Sequence, residues 1–398
     1  MNRFLFLALR YALFHRIRTL ALVAAVAIIC ALPAVVFTGV RVFEGALSSR
    51  AKTTPLVIGA PGGRFDLALA ALYHRKGRMA ALPFGVFEAI AQSEEARMRN
   101  GMGAQVFPLH NAHSAGGHPL VGTTLEYLEY RGLRPAAGRL PGVLGDAVLG
   151  AQAARTLGLK PGDALLTDQE SLFDLAKNPP MRLHVTGVLA PTGSADDRAV
   201  FVDLRTGWIV GGLGHGHDDV AAADPAKLLK KDGANLTASA AVRSFVEVTP
   251  ENLASFHFHG DPKDFPLTAV IVMPATEKAG TILADRWNQP ARRAQALDSA
   301  AVVAELLEMV FRIERFFNLG LLVVAGSCLL VLGLVFNLSM RLRGAERDTL
   351  LRIGAAKHTV GLLLMVELGL VVGMGLAIAG AITAAAWRAA PAVVEWML

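Results

Sequence analysis

Three apolar stretches, each long enough to cross a lipid bilayer, are the feature that most constrains how this chain of 398 residues folds. The hydrocarbon core of a bilayer needs about 20 consecutive apolar residues in a helix. Residues 19–40 and 316–340 contain no charged side chain, and residues 359–387 contain only Glu367. We therefore predict three transmembrane helices over these ranges. The first stretch is longer than the apolar part of a signal peptide and lacks a following small-residue cleavage site, which favours an anchor.

The positive charges of the chain are concentrated beside these stretches. Residues 1–18 carry four arginines and no acidic residue, and residues 341–358 carry five basic residues and two acidic ones. Residues 42–315 hold 28 basic and 29 acidic side chains, although the whole chain has a formal charge of +6. Because short basic segments stay in the cytoplasm, we expect 1–18 and 341–358 to be cytoplasmic. The domain 41–315 and the tail 388–398 then lie outside the cytoplasm.

The same charge balance and the absent motifs exclude several functions. A nucleic-acid-binding domain needs a basic patch, whereas the large domain is close to neutral. Residues 354–359 have a glycine and a lysine but not the spacing of an ATP-binding P-loop. The chain also contains no H-E-x-x-H or G-x-S-x-G sequence. We therefore expect no enzyme activity in this chain, and any ATP-driven work would depend on a partner.

The large domain has the sequence patterns of a mixed α/β fold. Apolar spacing predicts helices over 65–73 and 83–98, while 211–252 is rich in Gly, Ala and charge and predicts a long loop. Residues 294–317 have the spacing of an amphipathic helix that continues into the second apolar stretch. Strands are predicted over 105–109, 164–167, 182–189, 199–202 and 267–273. The predicted fold class is an α/β membrane protein, with a large mixed α/β domain inserted between transmembrane helices 1 and 2.

Two groups of side chains in the large domain are candidate metal ligands. His215, His217 and Asp218 form a compact set of nitrogen and oxygen donors, and His257 and His259 alternate along the chain. Alternate residues of a strand share one face, so His257 and His259 would point the same way. Imidazole with carboxylate suits Zn²⁺. We predict a zinc site on these residues, and the alternative is that they are solvated loop histidines.

Several short motifs occur along the chain in an order that resembles one known family. In the large domain these are Gly138-Arg139-Leu140-Pro141, Asp146-Ala147-Val148-Leu149-Gly150, Ala153-Ala154, Leu157-Gly158-Leu159, Gly162-Asp163 and Val185-Thr186-Gly187-Val188-Leu189. In the predicted cytoplasmic segment it is Arg347-Asp348-Thr349-Leu350-Leu351-Arg352-Ile353-Gly354-Ala355. Together with the order of the apolar stretches, they resemble the permeases of MacB/LolC/FtsX-type ABC transporters.

This resemblance implies an inner-membrane permease with a MacB-like periplasmic core and no cofactor of its own. Two permeases, as a homodimer or with a second permease subunit, would pair with cytoplasmic ATPase subunits that bind ATP. Stalk helices of the domain 41–315 would carry ATP-driven motion to a periplasmic client or accessory protein, a role termed mechanotransmission. The alternatives are an FtsX-like signalling scaffold that activates a periplasmic partner, and a zinc-linked transport component.

By the same resemblance, the segment 341–358 includes the coupling helix that docks on the ATPase. The residues assigned to this contact are Arg343, Arg347, Leu350, Leu351, Ile353 and Gly354. Gly354 is expected to end the helix, because glycine readily adopts the left-handed conformation found there. The alternative is a basic loop that only sets the topology.

The sequence departs from the family at its third apolar stretch. The family usually has four spans, but residues 388–398 are too few for a further crossing. Either the usual dimer contact of the family is not made here, or a separate subunit supplies the fourth helix. Glu367 lies within the predicted third helix, where a carboxylate is costly unless it is paired or reaches water. Both a partner on another helix and a position near the lipid headgroups remain open for Glu367.

The charge pattern makes a direct prediction about topology. Alkaline phosphatase needs disulfides that form outside the cytoplasm, so its fusion after Leu398 should be active and its fusion after Ala345 inactive. The measurement is phosphatase activity per amount of fusion protein, with a fusion after Ser299 as the outside control. Equal activity at Ala345 and Leu398 would contradict the predicted topology.

Overall fold

The computed structural model describes most of the chain. The described ranges are 2–77, 79–94, 96, 104–169, 179–217, 228–232, 235–238, 245–342 and 356–397, with residues 344, 348, 349, 352 and 354. The helices are α1 (Asn2–Phe14), α2 (Arg16–Lys52), α3 (Arg64–Tyr73), α4 (Phe84–Ala91), α5 (Leu125–Tyr130), α6 (Ala151–Leu157), α7 (Leu204–Val210), α8 (Glu277–Trp287), α9 (Ser299–Leu342) and α10 (Lys357–Met397).

The strands are mostly short and belong to one part of the chain. They are β1 (Leu56–Gly59), β2 (Leu82–Pro83), β3 (Gln105–Ala115), β4 (His118–Thr123), β5 (Pro135–Gly138), β6 (Asp146–Leu149), β7 (Ala164–Leu166), β8 (Arg182–Leu189), β9 (Val200–Asp203), β10 (Gly214–His215), β11 (Leu228–Asp232), β12 (Asn235–Ala238), β13 (His257–Phe258), β14 (Pro266–Leu267), β15 (Ala269–Met273) and β16 (Gln295–Asp298).

The chain divides into two compact units. The helical unit consists of Met1–Ala46 and Leu307–Met397, and the sheet domain consists of Leu47–Leu306. The long helices α2 and α9 each contribute residues to both units.

The helical unit contains long apolar helices. Within the described residues, the segments Arg16–Lys52 and His358–Val394 are each long and apolar enough to cross a membrane. Helix α10 approaches α2 closely at Gly375, where a Cβ atom would lie 2.6 Å from Cγ1 of Val26. A residue without a side chain is therefore needed at this contact.

The sheet domain is built on a mixed sheet of ten strands. Their order is β16-β1-β15-β3-β4-β9-β6-β8-β5, and β7 also pairs with β8. Strand β8 alternates buried and partly exposed side chains, which indicates that one face is covered. All residues of β1 and β6 are buried, as expected for strands covered on both faces.

The strand pair β1–β16 at one edge of the sheet adjoins, along the chain, the two long helices α2 and α9. The two strands pair antiparallel, with Leu56 opposite Asp298. Strand β1 begins shortly after α2 ends, and β16 runs without a gap into α9. Asp298 Oδ1 accepts hydrogen bonds from the backbone N–H groups of Ala300 at 2.8 Å and Ala301 at 3.1 Å, which caps the start of α9. Ser299 N–H donates to the carbonyl of Pro55 at 3.1 Å, so the domain ends of both helices are tied together.

Two apolar clusters form the core of the sheet domain. The first packs β1, β15 and β16 against α8 and the aromatic rings of Trp208 and Phe265. The second packs β6, β8 and β9 against Ile209 and Val248. Burial of these side chains, at roughly 25 cal/mol per Å² of apolar surface, is the main stabilising contribution to the domain.

Three glycines of the motifs noted in the sequence, Gly138, Gly150 and Gly187, lie where neighbouring backbone leaves no room for a side chain. A Cβ at Gly150, which precedes α6, would lie 2.3 Å from the carbonyl oxygen of Asp196. A Cβ at Gly187 would lie 2.3 Å from the carbonyl oxygen of Arg139. Arg139 itself donates from Nη1 to Oδ2 of Asp146 at 2.9 Å. The spacing of these motif residues is therefore explained by direct contacts within the sheet domain.

Several secondary-structure predictions differ in their limits from the structure. The predicted helix 83–98 is described as α4, which ends at Ala91, and the predicted amphipathic helix 294–317 begins only at Ser299, because 295–298 pair with β1. The range 211–252, predicted as a loop, contains β10, β11 and β12. The strand predicted over 182–189 has the bounds of β8.

Candidate metal centre and helix anchor

Four of the predicted metal-ligand histidines lie on one small antiparallel ribbon of the sheet domain. Strand β10 pairs with β13, and His215 stands directly opposite His257. The pairing continues beyond the two strands, since His259 N–H donates to the carbonyl of Leu213 at 2.9 Å. His217 and His259 are two residues from the central pair and so share its face.

The alternating sequence of each strand explains why all four imidazoles share a face. On the opposite face, a Cβ at Gly214 would lie 2.7 Å from the ring of Phe258, and a Cβ at Gly216 would lie 2.7 Å from the ring of Phe256. Glycine on one strand therefore makes room for phenylalanine on the other. The histidines occupy the remaining positions on both strands.

The imidazole rings lie close together. The ring centroid of His215 is 5.5 Å from that of His217, 5.0 Å from that of His257 and 4.9 Å from that of His259. The centroid of His257 is 5.0 Å from that of His217 and 4.8 Å from that of His259. One nitrogen from each of His215, His217 and His257 lies within 4.8 Å of the other two, and these three side chains are half-buried.

Local hydrogen bonding and burial prepare these rings as ligands. Nδ1 of His257 lies 2.9 Å from the carbonyl oxygen of Ser255. Because a carbonyl only accepts, Nδ1 carries the proton and Nε2 keeps its lone pair, which is the usual arrangement around a metal-bound imidazole. Burial lowers the pKa of His215, and the neighbouring His257, His259 and His217 lower it further. His215 is therefore held in the neutral form that ligates metals.

The ribbon is anchored in the apolar core through its phenylalanine face. The ring of Phe258 packs edge-on against Trp208, with centroids 6.4 Å apart, and lies 5.8 Å from the ring of Phe265. Trp208 also donates from Nε1 to the carbonyl of Pro266 at 2.9 Å. The imidazole face is thus presented by a fixed support.

Other histidines of the domain do not join this group. His110 is buried on β3 and lies near His113, with ring centroids 5.4 Å apart. His118 donates from Nδ1 to the carbonyl of Arg198 at 2.9 Å, and His184 donates from Nε2 to that of Val248 at 3.0 Å. Asp218, the carboxylate of the predicted zinc site, lies outside the described residues.

A second polar feature, which the sequence did not indicate, fixes the last turn of α2 within the sheet domain. Arg50 donates from Nη1 to Oδ2 of Asp196 at 2.5 Å and from Nη2 to Oδ1 at 2.7 Å. Its Nε donates to the carbonyl of Leu72 at 2.8 Å. Both charged side chains are buried. We call Arg50, Asp196 and His74 the helix anchor.

His74 completes the helix anchor as a neutral donor. It follows α3 with a left-handed backbone (φ 56°), it is fully buried, and its Nε2 lies 2.8 Å from Oδ1 of Asp196. Burial lowers the pKa of His74, and the hydrogen bond to Asp196 offsets this only in part. Burial alone would raise the pKa of Asp196, but the charge of Arg50 and the hydrogen bond from His74 hold it well below its ordinary value. The anchor therefore holds one positive and one negative charge.

The residues assigned to the ATPase contact are described only at Gly354. Its φ of 95° lies in the left-handed region that glycine favours, as expected for a residue that ends a helix. The remaining assigned residues lie outside the described part of the chain: Arg343, Arg347, Leu350, Leu351 and Ile353.

Glu367 lies within the helical unit at the wall of a mainly apolar cavity. The cavity has a volume of about 350 Å³, and its lining also includes Tyr11, Arg18 and Thr19. The guanidinium of Arg18 donates from Nη1 to the hydroxyl of Tyr11 at 3.4 Å. The carboxylate therefore shares this cavity with polar groups of α1 and α2, and its role stays a prediction.

The sequence of the chain matches one protein family over more than half of its length. Residues 17–238 match the family model of the MacB-like periplasmic core domain. No curated protein matches the chain.

Two solved structures are similar to part of the chain. The periplasmic region of MacB from Actinobacillus actinomycetemcomitans is 10% identical, with 64% of this chain and 92% of that chain covered and a TM-score of 0.33. The extracellular domain of the noncanonic ABC-type transporter YknZ from Gram-positive bacteria is 11% identical, with 61% and 98% covered and a TM-score of 0.32.

A MacB-like periplasmic core domain in a chain with membrane-length helices defines a component of an ABC transporter. The chain belongs to the MacB/LolC/FtsX-like family of ABC permeases, which confirms the resemblance of its motifs. Members of this family work with a cytoplasmic ABC ATPase. The periplasmic domain and the two apolar helices indicate an inner-membrane protein.

The helix anchor predicts a large effect of removing one charge. Arg50→Met would leave the Asp196 carboxylate buried without its cation, so we expect the unfolding free energy to fall by about 3–5 kcal/mol. The measurement is denaturant unfolding of the purified chain in detergent, followed by tryptophan fluorescence. Arg64→Met is the matched control, because it removes an exposed ion pair with Glu305 and should cost less than about 1 kcal/mol. Equal effects of the two substitutions would contradict the anchor.

The neutral His74 also predicts a dependence of stability on pH. An unfolded histidine takes up a proton below about pH 6.5, whereas the folded His74, with its lowered pKa, does not. The contribution of His74 is therefore fully present above about pH 6.5 and is lost as the pH falls below it. The His74→Gln variant should show a smaller loss of melting temperature between pH 7 and pH 5 than the parent chain. An unchanged pH profile in this variant would show that His74 is not the responsible group.

Proposed function

We propose that this chain is the permease subunit of an ABC transporter that transmits ATP-driven motion from a separate ATPase to a periplasmic domain. The observation that carries the proposal is the strand pair β1–β16. Each strand adjoins a helix of membrane length in the sequence, α2 before β1 and α9 after β16. A shift of one helix relative to the other would reach the sheet through two adjacent hydrogen-bonded strands.

The contacts at the domain ends of both helices support this proposal. Arg50 on α2 is fixed by its paired bonds to Asp196. On α9, Val302 and Val303 are buried in the domain. Packed interiors transmit displacement because they are dense and have low compressibility. A helix whose end is fixed in this way would pass its displacement on to the sheet; we call this pathway the lever.

We further propose that the segment 341–358 receives the motion from the ATPase and that two permeases act together. The basic charge of the segment, the motif around Gly354 and the family membership support this assignment. The periplasmic domain would then act on an envelope-side client or accessory protein. ATP-driven changes in the domain without any movement of a client would favour the signalling scaffold instead.

The ATPase contact is tested at its two leucines. Replacing Leu350 and Leu351 by Asp should abolish co-purification with the ATPase subunit, because each apolar side chain buried at a contact contributes about 1.5–3 kcal/mol. Leu125→Asp, at an exposed leucine of the sheet domain, is the control and should leave the complex intact. Retention of the ATPase by the double variant would place the contact elsewhere.

The lever itself is tested by a kink in α9. Arg312 is exposed and lies in the interior of α9, so Arg312→Pro would break the helix at a cost of about 3 kcal/mol or more, while Arg312→Ala would not. In the reconstituted complex, ATP should change hydrogen exchange in β1 and β16 of the Ala variant but not of the Pro variant, although both hydrolyse ATP. The same ATP response in both variants would contradict transmission through α9.

A further inference from the structure

The four imidazoles of the β10–β13 ribbon have no part in the proposed lever, and their arrangement points to a ligand. We propose that His215, His217 and His257, with His259 as the fourth ligand, bind one divalent zinc-class cation on the sheet domain. This site would exist whether or not the chain transmits motion, so it stands independently of the proposed function.

The distances place the donors within reach of one ion. Zn²⁺ binds imidazole nitrogen at about 2.0–2.1 Å, so nitrogens at the corners of a tetrahedron lie about 3.3 Å apart. The nitrogens of His215, His217 and His257 already lie within 4.8 Å of one another. Small rotations about the side-chain torsions close this gap without moving the ribbon. His259, whose ring is 4.8 Å from that of His257, completes the four-coordinate set.

The chemistry of the donors selects the class of ion. Imidazole nitrogen suits Zn²⁺ and the later first-row metals, whereas Mg²⁺ and Ca²⁺ prefer oxygen ligands. Three of the rings are half-buried and His259 is exposed, so an ion can enter from solvent and then be enclosed. The hydrogen bond from Nδ1 of His257 to the carbonyl of Ser255 fixes one ligand in its binding tautomer.

A bound ion would link the two short strands of the ribbon directly. The ribbon has only two residues in each strand. Bonds from the ion to His215 and His257 would fix the register of β10 against β13 on the outer face of the ribbon. Phe258 holds the ribbon in the core on its inner face. Phe258 packs on the same apolar cluster as β1 and β16. Ion binding should therefore stiffen the ribbon and raise the melting temperature of the chain.

The test uses the full-length chain in detergent, with any polyhistidine tag removed and traces of metal stripped by chelation. Zn²⁺ alone is titrated by calorimetry, and Co²⁺ alone is used as an optical probe of tetrahedral nitrogen ligation. The binding variant is His215→Ala with His257→Ala. The matched control is His118→Ala with His358→Ala, which removes two histidines that lie outside the ribbon.

We expect one Zn²⁺ per chain, tetrahedral Co²⁺ absorption bands, and a higher melting temperature with Zn²⁺. In the binding variant, Zn²⁺ affinity should fall on the order of 100-fold or more, because losing a ligand exceeds the roughly 10–100-fold effect of a supporting group. The control double variant should bind as the parent chain does. A second binding variant, His217→Gln with His259→Gln, retains polar side chains at both positions and should also lose affinity.

Three results would overturn the proposal. They are the absence of Zn²⁺ binding to the parent chain, equal Zn²⁺ affinity in the binding and control variants, and Co²⁺ spectra of six-coordinate oxygen ligation. Circular dichroism and the melting temperature of each metal-free variant distinguish loss of a ligand from loss of the fold. If the first binding variant does not fold, the His217→Gln and His259→Gln variant decides the outcome.

Discussion

The buried bidentate pair between Arg50 and Asp196 is the interaction on which the position of the last turn of α2 in the sheet domain depends. It joins the end of α2 to a turn that lies 146 residues further along the chain. Two buried charges are tolerated only when each satisfies the other, so any displacement of α2 that separates them is strongly disfavoured. The pair thus contributes little to the net stability of the fold, and its main effect is to fix where the end of α2 lies. It fixes the last turn of α2, which belongs to the sheet domain, in one place.

The fixed end of α2 matters because of where it lies in the sheet domain. Strands β1 and β16 follow α2 and precede α9 and lie side by side, so both helices meet the same edge of the sheet. The apolar cluster beneath these strands also receives Phe258 from the histidine ribbon. One continuous apolar cluster therefore connects the strands next to the ends of α2 and α9 with the candidate metal centre. The transmission pathway and the metal centre are separate proposals that share this physical support.

Particular elements show which parts of the structure can be predicted from sequence patterns. Strand β8 was predictable because its side chains alternate between buried and exposed positions. Strands β1 and β6 were not predicted, because four-residue runs buried on both faces have no alternation to reveal them. Gly214 and Gly216 contribute to the loop-like composition of 211–252, although in the structure they make room for aromatic rings. The helix anchor had no sequence signal, because neither Arg50, Asp196 nor His74 belongs to a recognisable motif.

The sequence by itself determined the apolar stretches, the placement of basic charge beside them, the order of the family motifs and the identity of the candidate ligands. These properties are local, since they depend on composition and spacing along a few tens of residues. Only the tertiary structure decided that His215 faces His257, that Arg50 meets Asp196, and that β1 lies beside β16. Each of these contacts joins segments distant along the chain, and strand register and core packing, which depend on the whole domain, select them.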